Sequence, residues 1–145
     1  MHNTDRSIGE AAAHLGLPES TLRYYEKKGL LPHLPRDEGG RRVFTEFHMT
    51  LLQVISNLKR THMPLGSIRQ YVEWVVEGEH TTPLRLDMML RHRQNVLDEI
   101  TAMHEALDGI QIKINRYEDR VRGWQQLSSD KPDQAAESSR TDSAS

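Results

Sequence analysis

The sequence predicts a mainly α-helical chain, and three observations carry that expectation. From Pro83 to Trp124 apolar residues recur on a strict repeat of seven. Near the N-terminus two short helical patterns meet at Gly16-Leu17-Pro18, and an arginine-rich Gly-Gly segment follows them. Between these regions lie two amphipathic stretches with helical spacing. Together they describe a helix-turn-helix candidate with an arginine-bearing hairpin beside it, two further helices and a long heptad helix that needs a partner. The expected boundaries are 6–76 for the head with its linker helices, 83–124 for the coiled coil and 125–145 for a disordered tail.

Length and composition narrow the function classes. A chain of 145 residues holds one small domain and an extension. With 28% charged residues and no apolar run near membrane length, a soluble, non-membrane protein is expected. The first six residues lack a signal-peptide pattern, so cytoplasm is the expected location. Cysteine is absent, which removes disulfides, thiolate metal sites and cysteine redox sensing. No nucleophile-base set, Gly-rich phosphate loop or His-Glu metal motif is present, so neither an enzyme nor a cofactor is expected. Residues 1–70 carry ten Lys/Arg against seven Asp/Glu, and residues 71–145 nine against fourteen. A mildly basic front on an acidic rear suits a polyanion-binding head on a dimerising rod.

Ser7-Ile8-Gly9-Glu10 reads as a capping box, with Ile8, Ala11, Ala12 and Leu15 at helical spacing and Gly16 as the stop. Pro18 suits the first turn of a second helix, Glu19 to Lys28, which Gly29 ends. On this helix Leu22 and Tyr25 face inward. Thr21, Arg23, Tyr24 and Lys27 or Lys28 face out, a set able to read guanine and to bond phosphates from the major groove. The competing reading is a solvated helix face with a half-buried tyrosine pair. The prolines of Leu30–Pro35 extend the chain. Arg36-Asp37-Glu38-Gly39-Gly40-Arg41-Arg42-Val43-Phe44 then suggests a hairpin with Arg36, Arg41 and Arg42 near its tip, against the alternative of a flexible surface loop. Thr45 caps a third helix, Glu46 to Arg60, with Phe47, Leu51, Val54, Ile55 and Leu58 inward and Lys59 and Arg60 exposed at its end. Leu65, Ile68, Val72, Val75 and Val76 mark a fourth helix that stops at Gly78.

Thr82 can N-cap the long helix and Pro83 fits its first turn. With Leu86 at a, the seam runs through Met89, Arg93, Val96, Ile100, Met103, Leu107, Ile110, Ile114, Tyr117, Val121 and Trp124, and only Arg93 is not apolar. Such a narrow seam on a helix of about 60 Å needs a partner, and another copy is the natural one. The expected dimerisation residues are Leu86, Met89, Val96, Ile100, Met103, Leu107, Ile110, Ile114, Tyr117 and Val121. Arg93 reads as a register device paired with an acidic partner residue, or as an anion site.

Thr21-Leu22-Arg23-Tyr24-Tyr25-Glu26-Lys27-Lys28-Gly29-Leu30-Leu31 resembles the recognition-helix signature of MerR-type transcriptional regulators. Ile8–Ala12, Arg36…Phe44 and the long helix fall at that family's spacing, so the resemblance covers about residues 6–124. It implies a winged helix-turn-helix and an antiparallel coiled coil. It implies DNA contacts from Thr21, Arg23 and Tyr24, wing contacts at Arg36, Arg42 and Phe44, and a phosphate contact at Lys59 or Arg60. Phe44 is often a tyrosine in the family, so a hydroxyl contact is lost there. Pro18 stands where many members have a Ser or Thr cap. The implied partners are double-stranded promoter DNA, a second copy and RNA polymerase at the promoter. The implied action is deformation of a pseudo-palindromic promoter spacer.

The effector is unknown. Cysteine-based metal sensing is excluded; the eight histidines do not cluster at ligand spacing, although His62, His80 and His92 could approach one another in a dimer, and no metal is expected. Glu77–Thr82, Arg91-His92-Arg93 and Ile112–Tyr117 resemble the aldehyde- and electrophile-stress subgroup. Its reactive cysteine position corresponds to Asn57 here, so thiolate chemistry cannot operate. The sensor is then different, absent, or a noncovalent pocket between the linker helices and the partner's long helix; Trp74, close to Tyr71, reads first as core packing and second as a wall of such a pocket. The alternatives are a constitutive repressor without effector, or a coiled-coil interaction module whose head docks on a protein.

Overall fold

The computed structural model describes residues 4–144, with side chains described for 4–129. Five α-helices appear in order: α1 (Ile8–Leu15), α2 (Glu19–Lys27), α3 (Glu46–Arg60), α4 (Leu65–Glu77) and α5 (Thr82–Ala144). The chain divides into two units, Met1–Val96 and Leu97–Ser145. The first holds α1 to α4 and the opening turns of α5; the second continues α5.

The Ser7 capping box forms as expected. The Glu10 amide donates to Ser7 Oγ, and the Ser7 amide donates to Glu10 Oε1, both at 3.2 Å. Gly16 ends α1 at φ 67°, a left-handed conformation that costs glycine least. Pro18 serves as the N-cap of α2 rather than entering its first turn, with ψ 149° and no side-chain cap bond. Gly29, at φ 74°, turns the chain out of α2.

The segment after α2 folds back on α1. Antiparallel bridges pair Arg36 with Arg42 and Arg6 with Phe44, so the expected hairpin exists without a strand ladder. Its tip is closed by Asp37: the Gly40 amide donates to its carbonyl, and Asp37 Oδ1 accepts from the amides of Gly39 and Arg41, all at 2.9 Å.

Thr45 caps α3, and its reciprocal partner is His48 rather than an acid. His48 Nδ1 lies 2.8 Å from Thr45 Oγ1 and accepts the Thr45 amide at 3.3 Å, while Nε2 lies 3.1 Å from the His33 carbonyl. A proton on Nε2 alone satisfies all three contacts. This corrects the expected inward face of α3. Phe47 is exposed and Val54 only partly buried, whereas His48 and Leu52 are buried. The cap turns the chain so that position 48, not 47, faces the core.

Leu22, Leu30, Phe44, Leu52, Ile55 and Ile68 are fully buried and join α1, α2, α3, α4 and the wing in one core. Each such side chain contributes roughly 1.5–3 kcal/mol relative to exposure. On α4, Ile68 and Val72 are buried but Val76 is exposed. Gly78, at φ 123°, breaks α4. A 3-10 turn, Glu79–Thr81, leads straight into α5, so Thr82 is already helical and is not an N-cap. Buried Thr81 takes over that junction: its hydroxyl lies within hydrogen-bonding distance of the Trp74 and Gly78 carbonyls and accepts from Arg85 Nε at 3.1 Å.

In α5, Met88 and Met89 pack on the head core. From Leu97 the helix is exposed at almost every described position, including Ile100, Met103, Leu107, Ile110, Ile114, Tyr117 and Val121. It continues past Trp124, where the sequence suggested a tail, through Gln125–Ser129, residues that accept helical geometry readily. The side chains of the remaining tail lie outside the described residues.

Candidate nucleic-acid interface

The two faces of α2 are sharply divided. Leu22 and Tyr25 are buried, so Arg23, Tyr24 and Lys27 must face solvent, with Thr21 half-buried beside them. Burial raises the Tyr25 hydroxyl above its ordinary range, and the neighbouring Tyr24 adds to this. Tyr24 stays accessible, with the Lys28 ammonium 5.7 Å from its ring centroid. That leaves a phenol flanked by cations on an exposed helix. Arg23 Nη2 donates to Glu19 Oε2 at 3.1 Å, one helical turn back. Both ends of this pair are about half exposed. Such pairs contribute about 0.3–0.5 kcal/mol, so Arg23 is held lightly and can be turned onto a base edge.

The wing is tied to this helix by an ion pair. Arg42 Nε donates to Glu26 Oε1 at 2.7 Å, and both side chains are mostly buried. Glu26 lies on α2 and Arg42 beside the wing tip, so this contact fixes the wing against the helix. Arg36 Nη1 reaches back to the Gly40 carbonyl at 3.5 Å, and Arg41 remains exposed. Another clamp comes from α4: Arg69 donates through Nε and Nη2 to the Lys28 carbonyl at 3.2 and 3.0 Å. It satisfies a terminal carbonyl and places a cation at the negative end of α2.

Phe44 requires a correction. It is fully buried, so its side chain holds the wing to the core and does not reach a ligand surface. Its place in the wing survives only through its backbone, which exchanges hydrogen bonds with Arg6 at 2.9 and 2.8 Å. Lys59 and Arg60 are exposed at the end of α3, and no hydrogen bond or ion pair joins them to α2 or the wing among the described residues. The Glu26 and Arg69 clamps were not anticipated. The charge of Glu26 was visible, but its partner lies sixteen residues away, and Arg69 acts across forty-one.

No group of three or more His, Asp or Glu able to hold a metal occurs among the described residues. His92 bonds to Thr61 and His80 lies 3.8 Å from Glu77. Among those residues no helix is long and apolar enough to cross a membrane.

A divided recognition helix, a cation-bearing wing and a long heptad helix define a winged helix-turn-helix DNA-binding protein. The family model described as MerR HTH family regulatory protein matches residues 6–73. An uncharacterised HTH-type transcriptional regulator of Haemophilus influenzae is 35% identical over 112 residues, covering 77% of this chain and 83% of that protein. The regulator ZntR of Escherichia coli is 31% identical over 116 residues, covering 80% of each. Among solved structures, HiNmlR, a MerR family regulator lacking the sensor domain and bound to promoter DNA, superposes with a TM-score of 0.73 at 33% identity, covering 79% of this chain and 91% of that one. A MerR family regulator from Bacillus thuringiensis gives 0.73 at 39%, covering 77% and 98%. The chain belongs to the MerR family of transcriptional regulators; it is a DNA-binding regulator and not an enzyme.

Proposed function

We propose that the chain acts as a homodimer in which two copies of α5 pair antiparallel along the a/d seam. Each head then lays α2 into the major groove of one half of a pseudo-palindromic promoter site. Arg23 reads a base edge, while Thr21, Tyr24 and Lys27 bond the flanking phosphates. Arg36, Arg41 and Arg42 of the wing, and Lys59 with Arg60, extend the phosphate contacts. The dimer distorts the spacer between the half-sites and so controls its use by RNA polymerase.

The observation that carries this reading is the locked pair of α2 and wing. Glu26–Arg42 and the buried Phe44 hold the two as one body, so their cations meet a duplex together. The exposed apolar row from Ile100 to Val121 supports the second copy, because a stripe of that length is rarely left in water. HiNmlR meets promoter DNA without a sensor domain, which supports binding by a head and long helix alone.

The test is selection from random duplex DNA by the purified full chain, followed by sequencing of the bound pool. An enriched inverted repeat with a fixed centre is expected, with log affinity falling linearly against log salt. An unenriched pool across the salt range would refute the reading and favour the protein-docking alternative.

A further inference from the structure

A groove of about 310 Å³ opens within the first unit, between the start of α5 and the α3–α4 segment. Its walls come from three segments: the α3–α4 turn at Met63, α4 at Trp74, and α5 at Leu84, Met88 and Arg91. With Leu86 at heptad position a, the α5 residues of this wall fall at b, c, f and g positions. Its b, c and f positions lie outside an a/d seam, and His92 at g lies on the flank of that seam. Its volume is at the lower end of small-molecule sites.

The lining pairs an apolar bed with a cation at its rim. Met63, Leu84, Met88 and the Trp74 indole offer a surface for a flat ring, and methionine adapts to varied shapes. At the rim, Arg91 donates through Nε and Nη2 to the same oxygen of Asp87. This pair too is exposed and one helical turn apart, so it holds Arg91 lightly and leaves its Nη1 donors for a second acceptor. The adjacent His92 lies 2.7 Å through Nε2 from Thr61 Oγ1, at the end of α3 directly after Arg60. An occupant touching Arg91 and His92 therefore presses on the end of the helix that carries Lys59 and Arg60.

We propose that this groove binds a small planar aromatic acid, its ring on Trp74 and the methionines and its carboxylate on Arg91. The groove site stands on its own geometry. Its coupling to operator affinity rests on the DNA-binding reading above, because the His92–Thr61 contact joins the groove to α3. By linkage, a ligand that shifts DNA affinity by some factor has its own affinity shifted by DNA by the same factor.

The experiment uses the full chain with Trp124→Phe, which leaves Trp74 as the sole tryptophan. Titration with 2-naphthoate, without DNA, is expected to give saturable quenching of Trp74. The uncharged 2-naphthylmethanol, and 2-naphthoate on Arg91→Ala, are each expected to bind at least tenfold more weakly. Amide shifts on 2-naphthoate binding should gather at residues 61–67, 74 and 84–95, which keeps the test independent of any variant's folding. Absence of saturation, equal binding of acid and alcohol, or shifts gathered elsewhere would overturn the proposal. So would Trp74 emission that tracks protein concentration through the monomer–dimer range, because a second copy would then fill the groove. Since this readout contains no DNA, it fails or succeeds apart from the proposed function.

Discussion

Arg23→Ala separates DNA reading from folding, because the structure assigns Arg23 almost no part in the fold. Its one bonded partner is Glu19, in an exposed pair one helical turn apart. Removing it should cost about 0.3–0.5 kcal/mol of stability, and alanine's better helix propensity offsets part of that. A bidentate contact to a base is worth about 1–3 kcal/mol. The expected result is therefore a melting temperature within about two degrees of the parent and specific affinity lower by roughly 5- to 150-fold. Fluorescence anisotropy on the selected operator, and on duplexes varied one base pair at a time, measures both affinity and selectivity. Preference should relax at one position per half-site and persist elsewhere. Unchanged affinity, or a loss spread evenly over all sequences, would refute base reading by Arg23 and leave it a phosphate contact at most.

Other expectations concern the clamps and the core. Glu26→Ala removes the acceptor of the mostly buried pair with Arg42 and should destabilise the head by about 1–3 kcal/mol in denaturant unfolding, while weakening DNA binding through a loosened wing. Phe44→Ala empties a fully buried site and should cost about 3–5 kcal/mol. His48 is held neutral, chiefly because burial lowers its pKa below the ordinary 6.5, partly offset by its bond to the His33 carbonyl. Its contribution is thus complete above pH 6.5 and falls as acid protonates the unfolded chain ahead of the folded one. Melting temperature measured from pH 7 to pH 5 should decline, and His48→Gln should flatten that decline. An identical slope in the variant would remove His48 from the pH dependence.

The heptad stripe, both Gly-terminated helices of the head and the Ser7 cap were legible because each depends on residues within one or two turns. The outward set on α2 was legible for the same reason: Leu22 and Tyr25 fix one face, and Arg23, Tyr24 and Lys27 must take the other. What escaped depends on distance. Phe44 carried no sign that its ring would fill the core instead of facing outward, because the residues enclosing it come from separate elements. His48 reads as polar, and only the His33 carbonyl, fifteen residues earlier, makes its burial tolerable. The Arg69 clamp on Lys28 and the groove beneath Trp74 likewise require α4 and its neighbours to be in place first.

If α5 joins two heads for one DNA site, Leu107→Asp separates them at the middle of the seam, where the residue is exposed in the single chain. A charge there leaves the head untouched but has to be buried for two helices to pair. Sedimentation equilibrium of the parent and the variant, free and with the selected duplex, is the measurement. The expected result is a parent dimer binding as two chains per duplex, and a folded monomeric variant that loses the inverted-repeat complex. A variant that remains dimeric and binds as the parent does would contradict the seam and the two-headed reading built on it.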